Sequence, residues 1–336
     1  MKIAVVGAGA IGGYLGGWLA AAGEDVTFIA RGANLEAICT RGMKVTGEDG
    51  KETIATNVRA FSRMSDAGAH DVVLLTVKAH QVAAVASDLH HLCHDETAIV
   101  TMQNGIPWWY FRNSDGPFAG HAVGAADPDG SIGRAIDPDR VIGAVVYPAA
   151  VLEAPGVVHV VEGRRFSLGE LGGGTTPRIE RISAALTNAG FKAPVIDDIR
   201  SEIWLKIWGN LSFNPISALT HTTLVELLRY PLTRALCVEM MREAEAVAHK
   251  LGVSFRVGID KRIAGAEKVG AHKTSMLQDV EAGRTLEIEA LIGAVIELGA
   301  LTETPTPHIQ AVYACVSLLN HTLSDKRGRL SLLPSS

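Results

Sequence analysis

The sequence of 336 residues lacks the marks of several protein classes. Its four cysteines are Cys39, Cys93, Cys237 and Cys315. They form no CxxC pair, which favours reduced thiols over disulfides or metal ligands. No apolar run reaches the roughly 20 residues of a membrane helix, and no charged leader precedes the first β-type run. The formal net charge of −5 disfavours nucleic acid or an anionic membrane as partner. These absences predict a soluble, cytoplasmic protein, in which a local basic pocket for an anionic ligand stays open.

The first part of the chain alternates β-type runs with stretches typical of helices. The β-type runs cover 2–7, 25–30, 71–77 and 97–102. Three of them are almost wholly apolar, as expected of strands buried on both faces of a parallel sheet. Helix candidates at 10–22 and 79–92 lie between these runs. The alternation predicts an α/β fold with a Rossmann-type, doubly wound sheet over residues 1–197.

After the last of these β-type runs the pattern of the sequence changes twice. A Gly-, Asp- and Pro-rich stretch at 113–140 is predicted to be a loop or insertion. Further strands are expected at 141–147, 157–162, 164–171 and 193–196, with a helix at 177–189. From residue 199 only helices are expected, at 199–213, 223–251, 257–269, 275–282, 284–301 and 306–322. The sequence therefore predicts an all-helical domain over 198–323 and a polar tail over 324–336.

A Gly-rich segment follows the first apolar run directly. It consists of Gly7, Ala8, Gly9, Ala10, Ile11 and Gly12. It fits G-x-G-x-x-G between a strand and a helix, where glycines allow a tight turn, close approach to a pyrophosphate and close helix–strand packing. Gly16 extends the small-residue face of the helix. A structural turn is the alternative, but the strand before and the helix after favour dinucleotide binding.

The ends of three further β-type runs carry candidate ligand-binding residues. Arg31 follows the second run, where an acidic residue would select NAD and an arginine accommodates the 2′-phosphate of NADP. Lys78 and Asn104 follow the next two runs. Ligands of such sheets bind outside the carboxyl ends of the strands. We therefore predict NADPH as the cofactor, against the alternative that these are ordinary polar loop residues.

The most unusual stretch of the chain surrounds Lys206. Lys206, Asn210 and Asn214 are spaced four residues apart, so about 40° separates each from the next on a helix. They form a polar stripe on an otherwise apolar helix, which Pro215 is expected to end at Asn214. Desolvation by the neighbouring tryptophans would lower the pKa of the lysine and suit it to acid–base work. The alternative is a lysine that reaches solvent past a core helix.

A carboxylate that could partner Lys206 lies in the predicted helix 284–301. On a regular helix Glu287 shares its face with apolar residues, whereas Glu289 lies on the opposite side. A buried carboxylate requires a cationic partner. An edge residue in solvent, or a partner of the helix dipole, is the alternative. No metal site is predicted, because the histidines at 90–94 have no distant partners.

Together these motifs resemble the ketopantoate reductase (2-dehydropantoate 2-reductase) family over about residues 1–320. The Lys-x3-Asn-x3-Asn helix and a Ser-Met-Leu-Gln-Asp block at 275–279 are more specific than the glycine loop. The resemblance implies a Rossmann domain and a helical domain that bind NADPH and a small 2-keto acid between them. The implied activity is reduction of 2-dehydropantoate to pantoate, in pantothenate and coenzyme A biosynthesis.

The resemblance also implies residue roles. Lys206 would protonate the carbonyl oxygen as hydride arrives, and Glu287 would be the catalytic glutamate. Asn104, Asn210, Asn214 and Ser275 would bind the substrate. The cofactor would be held by Gly7, Ala8, Gly9, Ala10, Ile11, Gly12, Arg31, Lys78 and Asn104. A homodimer through the helical domain is a further expectation.

Two departures from the family pattern keep alternatives open. Thr222, Thr223 and Leu224 replace an Asn-Gly pair that some members use near the substrate, and Ala271 replaces a glutamate. A paralogous reductase of another 2-keto acid is therefore an alternative. A hydroxyacid or opine-type dehydrogenase of related architecture is a second enzymatic alternative. A non-catalytic NADPH sensor is the alternative from another class. A sensor would be expected to lose the proton donor, and Lys206 is present.

Overall fold

A computed structural model describes residues 1–332 and divides the chain into two compact units. Unit 1 comprises residues 1–104, 108–122 and 127–202, and unit 2 comprises 105–107, 123–126 and the chain from Ile203 onward. The domain bounds and the homodimer expected from the sequence stay predictions. Residues 333–336 of the predicted tail lie outside the described residues. Within 1–332, no helix combines the length and the apolar character needed to cross a bilayer.

Unit 1 contains two β-sheets. Its strands are β1 (Lys2–Val6), β2 (Asp25–Ile29), β3 (Met43–Thr46), β4 (Glu52–Ala55), β5 (Val58–Phe61), β6 (His70–Leu75), β7 (Cys93–Thr101), β8 (Val141–Val146), β9 (Ala149–Ala154), β10 (Val157–Glu162) and β11 (Phe166–Glu170). The large sheet has the order β11-β8-β7-β6-β1-β2-β5, parallel except for β11. A second sheet has the order β4-β3-β10-β9. This confirms the predicted α/β fold with a parallel sheet.

The helices confirm the predicted change from an alternating α/β region to a helical region. They are α1 (Ala10–Ala21), α2 (Gly32–Arg41), α3 (Ala83–Ala86), α4 (Ser131–Ala135), α5 (Pro177–Asn188), α6 (Ile199–Thr220), α7 (Leu224–Arg229), α8 (Pro231–Lys250), α9 (Ile259–Val269), α10 (Ser275–Glu281), α11 (Ala294–Leu301) and α12 (Pro307–Asp325). A π-helical turn at Glu289–Gly293 precedes α11. From α6 onward the described chain consists of helices and loops without a strand, as predicted.

Helix α1 packs between the two sheets, which explains its many glycines. A Cβ at Gly16 would lie 2.4 Å from the ring of Phe28 in β2, which agrees with the small-residue face predicted there. On the other side, a Cβ at Gly17 would lie 2.6 Å from Val45 in β3. Only a helix without side chains at these positions can lie this close to both sheets.

Several element bounds predicted from the sequence are wrong. The stretch 79–92 is not one helix but two short 3-10 turns flanking α3. The expected helix 223–251 is interrupted at Tyr230, because Pro231 begins a new helix there. The second sheet was missed, except for its strand at 157–162, because its strands are short and carry mixed residues. The expected strand at 193–196 forms only an isolated bridge at Val195.

Candidate active site

The carboxyl end of β1 forms a loop that only glycine can build. Gly7 has φ +102°, a conformation that side chains disfavour. A Cβ at Gly12 would lie 2.0 Å from the carbonyl oxygen of Gly7 and 2.5 Å from Oγ1 of Thr76. The Thr76 hydroxyl fixes the turn by donating to the carbonyl oxygen of Gly7 at 2.7 Å. The loop therefore holds one tight conformation directly before α1.

The same loop leaves room for a ligand. A Cβ at Gly9 would meet nothing within 4 Å, and Gly9 caps the start of α1 without a side-chain hydrogen bond. The first N–H groups of a helix have no partners within the helix and attract anions. β1 is also the point where the strand order reverses, since β2 and β6 lie on its two sides. This arrangement fits the pyrophosphate of a dinucleotide.

Arg31 lies directly after β2, at the same edge of the sheet. It is exposed and precedes α2 as its N-cap residue. The side chain of Asn34, in the first turn of α2, connects this helix to the glycine loop by donating to the carbonyl oxygen of Ala8 at 2.5 Å. Arg31 is therefore available to a phosphate beside the loop.

Lys78 and Asn104 follow the neighbouring strands β6 and β7 and are partly buried. The side chain of Gln103 joins the two strand ends, because its Nε2 donates to the carbonyl oxygens of Leu75 and Val77 at 2.8 and 3.0 Å. The parallel register of β6 and β7 brings both ends to the edge where the glycine loop lies. Four strand ends in unit 1 thus carry the predicted cofactor residues.

In unit 2, α6 carries the predicted polar stripe. Lys206 and Asn210 are partly buried, and Asn214 is 6% exposed. Trp208 is fully buried, and its indole Nε1 donates to the carbonyl oxygen of Met241 in α8 at 2.6 Å, which fixes the rotation of α6. The expectation that Pro215 ends this helix is wrong, because α6 continues to Thr220. Buried residues on both sides of Pro215 outweigh the hydrogen bond that it cannot make.

Ser275 lies against this stripe. It begins α10, whose N-cap Thr274 accepts the N–H of Leu277 at 3.3 Å. Its hydroxyl is 3.5 Å from Nδ2 of Asn214, and Ser275 is exposed. A serine hydroxyl and an amide can each donate a hydrogen bond to a carboxylate or hydroxyl group. The structure therefore brings together two residues that lie 61 positions apart in the sequence.

Glu287 acts electrostatically on Lys206. Burial lowers the pKa of Lys206 from its ordinary 10.5 to about 8, while the negative charge of Glu287 opposes that shift. Without a nearby carboxylate, desolvation would favour the neutral amine even more strongly. The two residues therefore keep an ammonium group that can release its proton near neutral pH.

The helix expected around Glu287 is wrong in its first part. Residues 284–288 are not helical, and the π-helical turn begins only at Glu289. The helical face predicted for Glu287 is therefore wrong. The predicted pairing with Lys206 does not depend on it, because the charge of Glu287 still acts on that lysine. The N–H of Leu286 donates to Oδ1 of Asn320 at 3.0 Å, which fixes the chain just before Glu287.

The π-helical turn also contacts a separate segment of unit 2, residues 105–107. The N–H of Ile106 donates to the carbonyl oxygen of Ala290 at 2.8 Å. A Cβ at Gly105, which has φ +96°, would lie 2.3 Å from that oxygen. Single π-helical turns are frequent at functional sites. Sequence reasoning missed this turn, as it missed the contacts of Gln103 and Asn34.

Two family models together match most of the chain. Residues 3–173 match the family model "Ketopantoate reductase PanE/ApbA", and 198–320 match its C-terminal model. A 2-dehydropantoate 2-reductase of Mesorhizobium japonicum is 53% identical over 320 residues, which is 95% of this chain and 98% of that protein. A structure from Ralstonia solanacearum, assigned provisionally to the ketopantoate reductases, is 40% identical with a TM-score of 0.91, covering 96% and 98% of the two chains.

A more distant structure shares the fold alone. D-mandelate dehydrogenase with NADH and anilino(oxo)acetate has a TM-score of 0.82 at 23% identity, covering 96% of this chain and 99% of its own. The glycine loop, at the point where the strand order reverses, places this chain in the class of dinucleotide-binding α/β proteins, which includes the pyridine-nucleotide-dependent reductases. The chain belongs to the ketopantoate reductase family.

Proposed function

We propose that this protein reduces 2-dehydropantoate to pantoate with NADPH. The observation that carries the proposal is the partly desolvated lysine of α6, with Glu287 acting on it and amide and hydroxyl groups beside it. The 53% identity to the 2-dehydropantoate 2-reductase of Mesorhizobium japonicum supports 2-dehydropantoate as the substrate. Arg31, at the end of β2 where NAD-binding sheets carry an acidic residue, supports NADPH over NADH.

The reaction adds a hydride and a proton to the C2 carbonyl of the keto acid. When bound, the reduced nicotinamide supplies the hydride. Lys206 gives its proton to the carbonyl oxygen, which becomes the hydroxyl of the product, and it regains a proton from solvent. Negative charge grows on that oxygen in the transition state, so an ammonium group there stabilises the transition state more than the ground state.

The other residues hold the reactants. Asn214 and Ser275 are assigned to the carboxylate or hydroxyl of the substrate, because their donors lie side by side. Asn210 lies one helical turn from Lys206 and is assigned to the substrate as well. Asn104 and Lys78, at the ends of β7 and β6, are assigned to the cofactor, and Asn104 also to the substrate. Glu287 keeps Lys206 protonated.

A second candidate is reduction of another 2-keto acid. Thr223 donates its N–H and hydroxyl to Glu226 at 2.8 and 2.6 Å, which starts α7. The Thr222 carbonyl accepts from Ser217 at 2.6 Å, and its hydroxyl bonds that of Thr220. Since these threonines serve local structure, they do not take over the role that the Asn-Gly pair has near the substrate in some family members. Such a departure is expected of a paralogue that acts on a different 2-keto acid.

A panel of 2-keto acids tests both candidates. Oxidation of NADPH is followed at constant enzyme with 2-dehydropantoate and with straight, branched and aromatic 2-keto acids. The highest kcat/KM for 2-dehydropantoate is expected. A higher value for another acid would move the assignment to the second candidate. If NADPH binds tightly and no acid is reduced, the catalytic proposal fails and a sensor remains.

Replacement of Arg31 by alanine tests the cofactor assignment. We expect the Kd for NADPH to rise by about tenfold to a hundredfold, because a guanidinium–phosphate hydrogen bond is charge-assisted. The Kd for NADH should stay within twofold, since NADH has no 2′-phosphate. Both constants are measured by quenching of protein fluorescence. Arg41→Ala, at the other end of α2, is the matched control and should bind both dinucleotides normally. Equal loss for NADPH and NADH would contradict the assignment.

A further inference from the structure

One amide side chain connects three elements around the glycine loop. Asn34, in the first turn of α2, donates from Nδ2 to the carbonyl oxygen of Ala8 at 2.5 Å. Its Oδ1 accepts the N–H of Gly156 at 2.7 Å, in the turn between β9 and β10. The side chain is partly buried. Asn34 therefore bridges the loop after β1 and the second sheet.

The chemistry of these partners fixes the orientation of the amide. A backbone carbonyl can only accept and a backbone N–H can only donate, so Nδ2 must face Ala8 and Oδ1 must face Gly156. A flipped amide would place two donors together on one side and two acceptors together on the other. Few residue types supply one donor and one acceptor so close together. The bridge therefore depends on the amide itself and not only on side-chain volume.

The hydrogen bond to Ala8 orients the next N–H of the loop. The peptide between Ala8 and Gly9 is planar and trans, so its N–H points away from its carbonyl oxygen. Because Asn34 holds that oxygen, the N–H of Gly9 is directed to the opposite side of the peptide. The side-chain position of Gly9 is open, because a Cβ built there would meet nothing within 4 Å. The donor is thus prearranged where a pyrophosphate oxygen is expected.

The anchor at the other end is rigid. Gly156 has φ +74°, and its carbonyl oxygen accepts the N–H of Lys44 in β3 at 2.8 Å. A Cβ on Gly156 would lie 3.1 Å from Cβ of Ala37, so the turn is packed closely on α2. A rotation of the Ala8 peptide would therefore have to break a hydrogen bond that is fixed at both ends.

We propose that Asn34 is a positioning residue for the cofactor, which holds the Ala8–Gly9 peptide with its N–H toward the pyrophosphate. The inference rests on the proposed use of a dinucleotide. It differs from the role of Arg31, because the pyrophosphate is common to NADPH and NADH whereas the 2′-phosphate is not. Asn34 therefore acts on affinity for both cofactors, and Arg31 acts on the choice between them.

Replacement of Asn34 by aspartate tests this role with an isosteric side chain. Aspartate keeps an acceptor for Gly156 but loses the donor and turns a carboxylate oxygen toward the carbonyl of Ala8. We expect the Kd for NADPH and for NADH to rise by the same factor, about tenfold or more. The kcat at saturating NADPH should remain within twofold, because the reacting groups are unchanged. Kd is measured by fluorescence, and kcat and KM by NADPH oxidation.

Asn57→Asp is the matched control. Its Nδ2 donates to the carbonyl oxygen of Ala20 at 3.1 Å, so the same exchange breaks the same kind of bond at the other end of α1. Asn57→Asp should bind both dinucleotides as wild type does. Thermal unfolding of both variants checks that all binding is measured on folded protein.

Two results would overturn this inference and leave the proposed function intact. One is Asn34→Asp binding NADPH and NADH within twofold of wild type. The other is weaker binding of NADPH with normal binding of NADH, which would place Asn34 at the 2′-phosphate. Wild-type protein that binds neither dinucleotide would instead overturn the proposed function together with this inference.

Discussion

Lys206→Met is expected to lower kcat/KM for the keto acid by about 10²–10⁴-fold, the usual contribution of a general acid. Methionine has a similar length and is apolar, so it fills the same space on α6 without a proton to give. The Kd for NADPH should stay near the wild-type value, because the predicted cofactor loop lies in unit 1. Steady-state oxidation of NADPH and fluorescence titration measure the two quantities separately.

The stability of this variant separates catalysis from folding. Because burial lowers the pKa of Lys206 to about 8, the unfolded chain binds more protons than the folded chain between about pH 8 and 10.5. This group therefore costs stability at neutral pH, and the cost is relieved as pH rises through that window. Lys206→Met should unfold at pH 7 at a temperature no lower than wild type.

A second lysine of unit 2 provides the control. Lys250, near the end of α8, donates to the carbonyl oxygens of Thr302 and Glu303 at 2.7 and 3.1 Å. Lys250→Met removes an ammonium group of the same kind from a structural position and should keep wild-type turnover. If Lys206→Met also retains more than a tenth of wild-type kcat/KM, Lys206 is not the proton donor.

The parts of the fold that follow from short-range rules were predictable. The glycine loop is one, because the positive φ of Gly7 is a local requirement and a Cβ at Gly12 would meet the carbonyl oxygen of Gly7, five residues away. The predicted strand ends are another. Parallel strands place their carboxyl ends at one edge, so Arg31, Lys78 and Asn104 were expected together without knowledge of any contact.

The parts that depend on long-range packing were not predictable. Pro215 should end a helix by local rules, yet α6 continues for five more residues because the residues on both sides of Pro215 are buried. The helix that periodicity predicted over 284–301 begins only at Glu289, so Glu287 lies outside it. It begins as a π-helical turn whose Ala290 carbonyl accepts a hydrogen bond from the N–H of Ile106, a contact far away in the sequence. The role of Asn34 is not visible in the sequence, because its hydrogen-bond partners lie 26 and 122 positions away.

Glu287→Gln is expected to shift the alkaline limit of activity toward lower pH. The reduction needs Lys206 in its protonated form, so kcat/KM falls as pH rises through the pKa of this lysine. In the wild type that pKa is about 8, the net result of burial, which lowers it, and of the charge of Glu287, which raises it. Glutamine keeps the shape of the side chain and removes the charge, so only the lowering influence remains.

The pH profile therefore distinguishes an effect of Glu287 on the pKa of Lys206 from a general loss of activity in the variant. Wild type should retain about half of its plateau kcat/KM near pH 8 and about a tenth near pH 9. In Glu287→Gln the fall should begin below the wild-type midpoint, and activity should recover toward acidic pH as Lys206 regains its proton.

Glu289→Gln is the matched control for this profile. Glu289 lies two residues away, is exposed, and accepts a hydrogen bond from the hydroxyl of Tyr313 at 2.9 Å. The same exchange there should leave the midpoint in place. A uniform loss of activity at every pH in Glu287→Gln, with an unchanged midpoint, would show that Glu287 does not set the charge of Lys206. A midpoint that moves only in Glu287→Gln ties the acid strength of the lysine to this one carboxylate.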